Sequence, residues 1–236
     1  MMKALILAAG IGSRLAPITE NCPKSMVPVN GKPILEKQIE NLINNNVMDI
    51  TIITGYKSEV IEKYVNTRFP FIKIIKSTDY LNTNNMYSAY LARDILNGSE
   101  FLMMNADVYY DESVLTELLK SKYENSIVTD IGIYNEESMK VIEKNGIIKS
   151  ISKTIRKEDA LGSSIDVYKF SAKAGEIFFN KCTEYIEINN QLKLWSEVAL
   201  NDILESVSFT ACPLKGRWFE IDDHDDLAKA EKLFGE

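Results

Sequence analysis

Two basic side chains close to the amino terminus stand where they could hold phosphate groups. Gly10 and Gly12 form a turn after an apolar run, and Arg14 follows them. Glycines let backbone N–H groups approach phosphate oxygens, and a guanidinium offers a fixed fork of donors for bidentate contact. Ten residues beyond Arg14, Lys24 adds a flexible charge on a backbone stiffened by Pro23. These residues suit chemistry on phosphate esters.

The glycine turn does not match the common nucleotide-binding fingerprints. A dinucleotide-binding G-x-G-x-x-G sequence would need a glycine where Leu15 stands, and no G-K-[ST] sequence follows that would make a P-loop. The turn by itself leaves two interpretations open, a phosphate site and an ordinary strand-end turn whose arginine lies in solvent.

Two aspartates far apart in the sequence are candidates for a metal site. Asp107 follows the predicted strand Phe101–Met104, and Asp222 lies near the end of another predicted strand. Two carboxylates at strand ends can hold one octahedral Mg²⁺, which keeps several waters and takes phosphate oxygens. Each aspartate considered singly is more typical of a turn or a helix cap.

A regular alternation of strands and helices must position these residues. The apolar run Ala4–Ala9 predicts a strand buried on both faces, and strand, turn and helix alternate from there to about residue 125. This order indicates a parallel sheet covered by helices on both faces. Within this part, Ser58 is expected to cap a helix and Asn85–Leu96 to form a single helix.

The second half of the chain has a different pattern. Short strands separated by turns are predicted between Ile127 and Phe170, which suggests antiparallel additions to the sheet, and helical spacing returns at Ala172. The predicted fold class is α/β, a Rossmann-like mixed and mostly parallel sheet flanked by helices, with a β-rich lobe in the second half.

Two segments carry a resemblance to a known family. The sequence L-A-A-G-I-G-S-R-L begins at Leu7, and P-K-S-M-V-P-V-N-G-K-P begins at Pro23. Together they resemble the opening motifs of the sugar-phosphate and phosphocholine nucleotidylyltransferases, at every motif position. The stretch Asn105-Ala106-Asp107 is similar to the family's strand-end metal motif, and Phe219-Glu220-Ile221-Asp222 is similar to its closing acidic motif.

The resemblance implies a Mg²⁺-dependent enzyme with the fold of the nucleotide-diphospho-sugar transferases, in one domain over residues 1–236. A nucleotide-binding half of about residues 1–125 and an acceptor-binding half of about residues 126–236 are expected. The implied residues are catalytic Arg14 and Lys24; metal ligands Asp107 and Asp222; nucleotide-binding Leu7, Ala8, Ala9, Gly10, Gly12, Ser13, Asn84, Asn85 and Ser88; and acceptor-binding Lys153, Asp166 and Glu220. Trp195 and Glu197 are further acceptor-binding candidates, because a carboxylate beside an aromatic face attracts an ammonium group. The alternative for Trp195 is a core or interface residue.

Further motifs bear on the substrates. The N-N-M-Y-S stretch from Asn84 is similar to the N-N-x-x-S of the phosphocholine branch, which favours CTP and a small, amine-bearing phosphorylated acceptor. On the acceptor side, Asp166 replaces a glycine and Ser152 replaces an acid of the family pattern. The alternatives are a hexose-1-phosphate enzyme that uses UTP, TTP or CTP, and a nucleotide-sensing domain without activity. The intact Arg14 and Lys24 argue against the second alternative.

Composition excludes other classes of function. The 236 residues carry a net charge of −7, which argues against a nucleic-acid partner because phosphate neutralisation needs clustered lysines and arginines. The three cysteines form no C-x-x-C pair, which fits a reducing compartment and predicts a cytoplasmic protein. The apolar run near the amino terminus is too short for a signal peptide or a membrane span, so no membrane insertion is expected. The oligomeric state is left open.

Overall fold

β1 (Lys3–Ala8) lies within a nine-stranded sheet in the computed structural model, which describes residues 1–235. The further strands, in chain order, are β2 (Pro28–Val29), β3 (Lys32–Pro33), β4 (Asp49–Thr54), β5 (Lys73–Lys76), β6 (Phe101–Asn105), β7 (Val108–Tyr110), β8 (Ser126–Ile131), β9 (Lys140–Lys144), β10 (Ile147–Ser152), β11 (Gly162–Phe170), β12 (Thr210–Pro213) and β13 (Trp218–Glu220). β2 with β3 and β7 with β13 form two separate two-stranded sheets, and the remaining strands belong to the nine-stranded sheet.

The helices cover the faces of this sheet. They are α1 (Ile34–Asn44), α2 (Ser58–Arg68), α3 (Asn85–Leu91), α4 (Arg93–Leu96), α5 (Ser113–Lys120), α6 (Ala172–Thr183), α7 (Ser196–Ile203) and α8 (His224–Phe234), with 3₁₀ turns at Ser13–Leu15, Ile18–Glu20 and Lys24–Met26 and a π-helical turn at Glu184–Ile188. Over the described residues, none of these helices has both the length and the apolar character needed to cross a membrane.

Four parallel strands form the first half of the sheet, in the spatial order β6-β1-β4-β5. The chain runs outward from β1 through β4 to β5 and then returns to place β6 on the other side of β1. Along β1, Leu5 and Leu7 pack into the core on one face, and Ala4 and Ile6 pack into the core on the other. The strand order reverses between β1 and β6, and ligands of open α/β sheets bind beyond the carboxyl ends of the strands at such a point.

The second half adds mainly antiparallel pairs. β11 pairs antiparallel with β6, β8 and β9, and β9 forms a hairpin with β10. Asn145 and Gly146, at the tip of this hairpin, both have positive φ, 55° and 78°, as a tight two-residue turn requires. The predicted mixed α/β fold with a β-rich second half is confirmed. The sheet continues across residue 125 because β11 pairs with β6, and the division into two functional halves stays a prediction.

Two local predictions are wrong. Ser58 is the first residue of α2 and does not cap it: Lys57 stands at the cap position, and the Ser58 hydroxyl is buried without a hydrogen-bond partner among the described residues. The predicted helix Asn85–Leu96 is broken at Ala92 into α3 and α4. The strand predicted before Asp222 is β13, whereas the three-residue strand β7 was not predicted, because three residues are too few to show a hydrophobic period.

An aromatic cluster fills the core between the sheet and α6. The ring of Phe170 lies 4.8 Å from that of Phe101, 5.1 Å from that of Phe178 and 5.3 Å from that of Phe209, measured between centroids. All four side chains are fully buried. Each ring removes a large apolar area from water, so this cluster ties β6, β11, α6 and the approach to β12 together.

Replacing the central ring of this cluster should cost stability. We expect Phe170→Ala to lower the free energy of unfolding by about 3–5 kcal/mol, through lost burial and the cavity left behind. Urea denaturation followed by circular dichroism measures this loss. The matched control is Phe71→Ala, because Phe71 is 45% exposed, and it should change stability by less than about 0.5 kcal/mol. Equal effects of the two substitutions would contradict the prediction.

Candidate active site

A cleft of about 260 Å³ opens at the carboxyl ends of β1 and β6, where the strand order reverses. Most of the residues predicted for the site line it: Leu7, Ala8, Ala9, Gly10, Arg14, Lys24, Asn84, Asn85, Ser88, Asp107, Lys153, Asp166, Trp195, Glu197, Glu220 and Asp222. Gly12 and Ser13 belong to the same turn as Gly10 and lie outside the lining. The fold thus collects side chains from both halves of the chain in one place.

Gly12 keeps the glycine turn in contact with Lys24. Its backbone has a φ of 69°, in the left-handed region, and a Cβ at this position would lie 2.7 Å from the Cβ of Lys24. The hydroxyl of Thr19 donates a hydrogen bond of 2.9 Å to the Gly12 carbonyl and fixes the turn from the other side. A glycine is therefore needed for the close approach of the lysine.

Lys24 is held between the two predicted metal ligands. Its Nζ lies 2.8 Å from Asp107 Oδ2 and 2.5 Å from Asp222 Oδ1, and Arg14 Nη2 lies 2.8 Å from Asp222 Oδ2. Burial opposes the charged form of Lys24, but the two carboxylates outweigh burial and raise the pKa of the ammonium. Burial likewise opposes ionisation of Asp222, but Lys24 and Arg14 lower its pKa. Lys24 and Asp222 are therefore both charged at neutral pH.

A pair of short strands brings the two aspartates together. β7 directly follows Asp107, and it pairs antiparallel with β13, so that Val108 lies opposite Glu220. The backbone N–H of Ile221 then donates to the carbonyl of Asp107 at 3.0 Å. This pairing is the reason why residues 107 and 222 share one site.

Three carboxyl groups could hold a metal ion. Asp107, Glu220 and Asp222 each present a carboxylate oxygen, and these oxygens lie within 4.8 Å of one another. Asp107 Oδ1 is buried and has no hydrogen-bond partner among the described residues, so it is free to bind an ion. Hard carboxylate oxygens are the ligands that Mg²⁺ prefers, so the residues fit the predicted ion. Glu220, predicted to contact the acceptor, belongs to the same cluster of three carboxyl groups as Asp107 and Asp222, and we name this cluster the metal-binding triad after its proposed function.

On the acceptor side, two further carboxyl groups meet at one tyrosine. The hydroxyl oxygen of Tyr168 lies 2.9 Å from Asp166 Oδ1 and 2.9 Å from Glu197 Oε1. Asp166 has a φ of 57°, a conformation that a glycine adopts freely and that aspartate tolerates better than most residues. This backbone shape explains how an aspartate can stand where the family pattern has glycine, and it turns the carboxyl group into the cleft.

Trp195 and Lys153 stand together on the wall of the cleft. Trp195 is 43% exposed, so it is not a core residue, and Lys153 Nζ lies 5.0 Å from its ring centroid.

Asn84 has a structural function as well as its place in the lining, because its side chain caps α3 by accepting a hydrogen bond from the N–H of Asn85 at 2.8 Å.

Several cleft residues were missed by reasoning from the sequence. Ser25, Tyr80, Thr83, Asn105, Ala106 and Met139 also line the cleft. Ser25 belongs to the P-K-S motif, and Asn105 belongs to the motif that ends at Asp107, so these motifs could have identified both residues as candidates for the site. Tyr168 lies two residues after Asp166, the residue that replaces a glycine of the family pattern, but its contact with Glu197 depends on the packing of α7 against the sheet.

Comparison with known proteins defines the class. The sequence profile described as nucleotidyl transferase matches residues 3–158. The bifunctional protein GlmU of Methanococcus maripaludis is 34% identical over 99% of this chain and 54% of its own length. The choline-phosphate cytidylyltransferase of Streptococcus pneumoniae is 38% identical over 58% of this chain and 55% of its own length. The chain spans about half the length of these curated relatives.

A solved structure agrees with the sequence profile. The CTP:phosphocholine cytidylyltransferase of Streptococcus pneumoniae superposes with a TM-score of 0.80 at 27% identity, over 98% of each chain. The chain therefore belongs to the nucleotidyl transferase family. The predicted family resemblance is confirmed.

The triad makes a prediction about pH and stability in the absence of metal. Burial and the carboxylates of Asp107 and Asp222 raise the pKa of Glu220 to about 7. The folded protein therefore binds more protons than the unfolded chain between about pH 4.5 and 7, and stability falls as the pH rises through this range. In EDTA at pH 8, we expect Glu220→Gln to be more stable than the native protein by about 1 kcal/mol.

This gain should disappear below about pH 4.5, where Glu220 is protonated in both states. Urea denaturation at a series of pH values measures it. The control is Glu205→Gln, because Glu205 is an exposed acid, and it should leave the pH profile unchanged. A Glu220→Gln variant no more stable than the native protein at pH 8 would show that the carboxylate ionises there without cost.

Proposed function

We propose that this chain is a metal-dependent nucleotidylyltransferase that transfers CMP from CTP to a small, amine-bearing phosphorylated acceptor and releases pyrophosphate. The observation that carries the proposal is the pair of carboxyl groups of Asp166 and Glu197, which line the same cleft as Lys24 and the metal-binding triad. The cleft thus offers cations for phosphate groups and acids for a positively charged group.

The nucleotide is assigned to the first half of the cleft. Backbone N–H groups at Gly10, Gly12 and Ser13 would approach its phosphates. The residues assigned to the base and ribose are Leu7, Ala8, Ala9, Asn84, Asn85 and Ser88. The support for this assignment is that these residues line the cleft at the carboxyl end of β1, where the strand order reverses.

The two basic side chains are assigned to the transferring phosphates. Arg14 is 60% exposed at the rim of the cleft, where it can hold the β- and γ-phosphates and stabilise pyrophosphate as it leaves. Lys24 lies deeper, with 13% of its side chain exposed, and would contact the α-phosphate and the acceptor phosphate as they approach in line. To do so, its ammonium would exchange carboxylate partners for phosphate oxygens, whose negative charge would keep it protonated.

Asp107, Asp222 and Glu220 would hold the metal ion, with Mg²⁺ as the proposed ion. When bound, a divalent ion supplies positive charge that orients the phosphates and offsets their developing negative charge. The phosphate oxygen of the acceptor is ionised near neutral pH, so the chain needs no side chain that removes a proton from it. This is consistent with the single histidine of the sequence.

The acceptor is assigned to the wall formed by Asp166, Glu197, Trp195 and Lys153. Buried carboxylates favour a cationic group, and a tryptophan ring adds an apolar contact for the carbon chain of a small acceptor. The phosphate of the same molecule would face Lys24. Asp166 also narrows the space that a pyranose ring would need.

The second candidate is a hexose-1-phosphate nucleotidylyltransferase. The GlmU relative, which aligns with 99% of this chain, keeps this candidate open. The paired acids favour the amine-bearing acceptor, because a neutral sugar ring would bring no cation to the carboxyl groups of Asp166 and Glu197.

The proposed reaction takes place in the cytoplasm. Cys22, Cys182 and Cys212 are free thiols in the described structure, as a reducing compartment would keep them. The product would be an activated precursor of a cell-surface glycan.

A panel of substrates tests the proposal. The four NTPs are combined with 2-aminoethyl phosphate, phosphocholine, 2-aminoethylphosphonate, glucose 1-phosphate and N-acetylglucosamine 1-phosphate, and pyrophosphate release is measured with Mg²⁺ and with EDTA. We expect CTP with an amine-bearing acceptor to exceed every hexose phosphate by at least about tenfold in kcat/KM, which corresponds to about 1.4 kcal/mol. EDTA should abolish release. A hexose 1-phosphate that equals the best amine would establish the second candidate instead.

Arg14 and Lys24 should contribute more to the rate of nucleotide transfer than to the binding of CTP. Arg14→Ala and Lys24→Ala should lower kcat by about 100-fold or more, because their bonds strengthen as charge moves in the transition state. The Kd for CTP, measured by calorimetry with Mg²⁺, should rise by less than about tenfold. The control is Lys63→Ala, a substitution of an exposed lysine outside the cleft, and it should change neither value. Equal losses of rate and binding would make Arg14 and Lys24 simple anchors of the nucleotide.

A further inference from the structure

The contacts of Tyr168 require a proton that the three side chains cannot supply if both carboxyl groups are ionised. The hydroxyl oxygen of this fully buried tyrosine lies at hydrogen-bond distance from Asp166 Oδ1 and from Glu197 Oε1, 2.9 Å in each case. A tyrosine hydroxyl carries one proton and can donate to one of these oxygens. The other contact is a hydrogen bond only if the carboxyl group itself carries a proton and donates it to the tyrosine oxygen.

A chain of amide contacts fixes which oxygen of Asp166 is available. The backbone N–H of Ser196 donates to Asn85 Oδ1 at 2.8 Å, so the amide nitrogen of Asn85 faces Asn105 Oδ1, at 3.4 Å. Asn105 Nδ2 in turn donates to Asp166 Oδ2 at 2.9 Å. Asp166 Oδ2 is therefore an acceptor, and the proton lies between Asp166 Oδ1, the Tyr168 oxygen and Glu197 Oε1.

The surroundings favour this protonated state. Burial raises the pKa of Asp166 well above its usual range, and Glu197, Glu220 and Asp107 add to the rise; burial also raises the pKa of Glu197. The charged groups that line the cleft around the pair are the acids Asp107, Glu220 and Asp222 and the bases Arg14, Lys24 and Lys153. The bases are engaged elsewhere: Arg14 and Lys24 pair with the triad, and Lys153 lies over Trp195.

We propose that Asp166, Tyr168 and Glu197 form an exchange site in which an ammonium group with N–H donors replaces one shared proton. This proposal rests on the proposed amine-bearing acceptor. In the free site, one carboxyl group is protonated and the other is ionised, so the three side chains carry a charge of −1. When the ammonium binds, the carboxylic O–H bond breaks, the proton passes to solvent, and the ammonium donates to the freed oxygen. The sum of two carboxylates and one ammonium is again −1, so binding of the ammonium leaves the net charge of the site unchanged.

The same geometry favours a primary ammonium over a trimethylammonium. The oxygens that lose the shared proton need a new donor, and a quaternary nitrogen has none to give. The aromatic face that would suit a quaternary cation is that of Trp195, and it already contacts the ammonium of Lys153. The exchange site therefore selects a cation that has N–H groups to donate.

Isothermal calorimetry tests the exchange directly. The protein with Mg²⁺ and α,β-methylene-CTP, which cannot transfer its nucleotide, is titrated at pH 7 with 2-aminoethyl phosphate in buffers of different ionisation enthalpy. The dependence of the measured heat on the buffer gives the number of protons released. The same titration with 2-hydroxyethyl phosphate subtracts any proton that leaves the phosphate group.

We expect the amine to release about one proton more than the hydroxyl analogue. Glu197→Gln should bind the amine at least about tenfold more weakly and release no extra proton, because the remaining acid is ionised in the free site. Asp166→Asn, a second variant, should behave in the same way. Phosphocholine should bind more weakly than 2-aminoethyl phosphate.

A matched control is available at Glu36. This glutamate is also buried and also accepts a hydrogen bond from a tyrosine, Tyr64, but it lies outside the cleft and pairs with Arg68. Glu36→Gln should leave the extra proton in place. Tight binding of the amine with no extra proton, or with the same proton in Glu197→Gln, would overturn the exchange site and leave the proposed function standing. No binding of any amine, together with turnover of a hexose 1-phosphate, would overturn both.

Discussion

The ion pairs of one lysine hold this site together. Lys24 joins Asp107, 83 residues away, to Asp222, 198 residues away, and both bonds are short. A cation with 13% of its side chain exposed must be compensated where it lies, so the turn after β1, the end of β6 and the end of β13 are fixed relative to one another. The close contact between Gly12 and Lys24, the pairing of β7 with β13 and the position of Arg14 are all parts of this arrangement.

Patterns within continuous segments could be predicted from the sequence. The buried run of β1, the alternation of strands and helices and the Asn145-Gly146 turn are each specified by neighbouring residues, and each is present in the structure. The position of the cleft follows as well, because the reversal of strand order places the ends of β1 and β6 side by side. Most of the candidate site residues could therefore be named before the structure was known, and their functions are still proposals.

What could not be predicted depends on contacts between distant segments. Glu220 joins the metal-binding triad because β13 pairs with β7, and strands of three residues leave no periodic signal. Tyr168 reads as a core residue in the sequence, and only the packing of α7 shows that its hydroxyl touches Glu197. The departure from the family pattern at Asp166 was visible, but its meaning required the φ of 57° and the amide contact from Asn105.

The balance of charge within the cleft limits which substrates can bind. Of the described residues that line it, five are acids and three are bases, Arg14, Lys24 and Lys153. A nucleoside triphosphate brings more negative charge, so in the proposed reaction its binding would need a divalent ion at the triad and the release of Lys24 from its carboxylate partners. The acids Asp166 and Glu197 face no phosphate in the proposed arrangement, and a sugar phosphate would leave them with no new cation. An acceptor with a phosphate at one end and an ammonium at the other would suit both the bases and the acids of the cleft. Its phosphate would face the bases and its ammonium would face Asp166 and Glu197, so each end would meet groups of opposite charge.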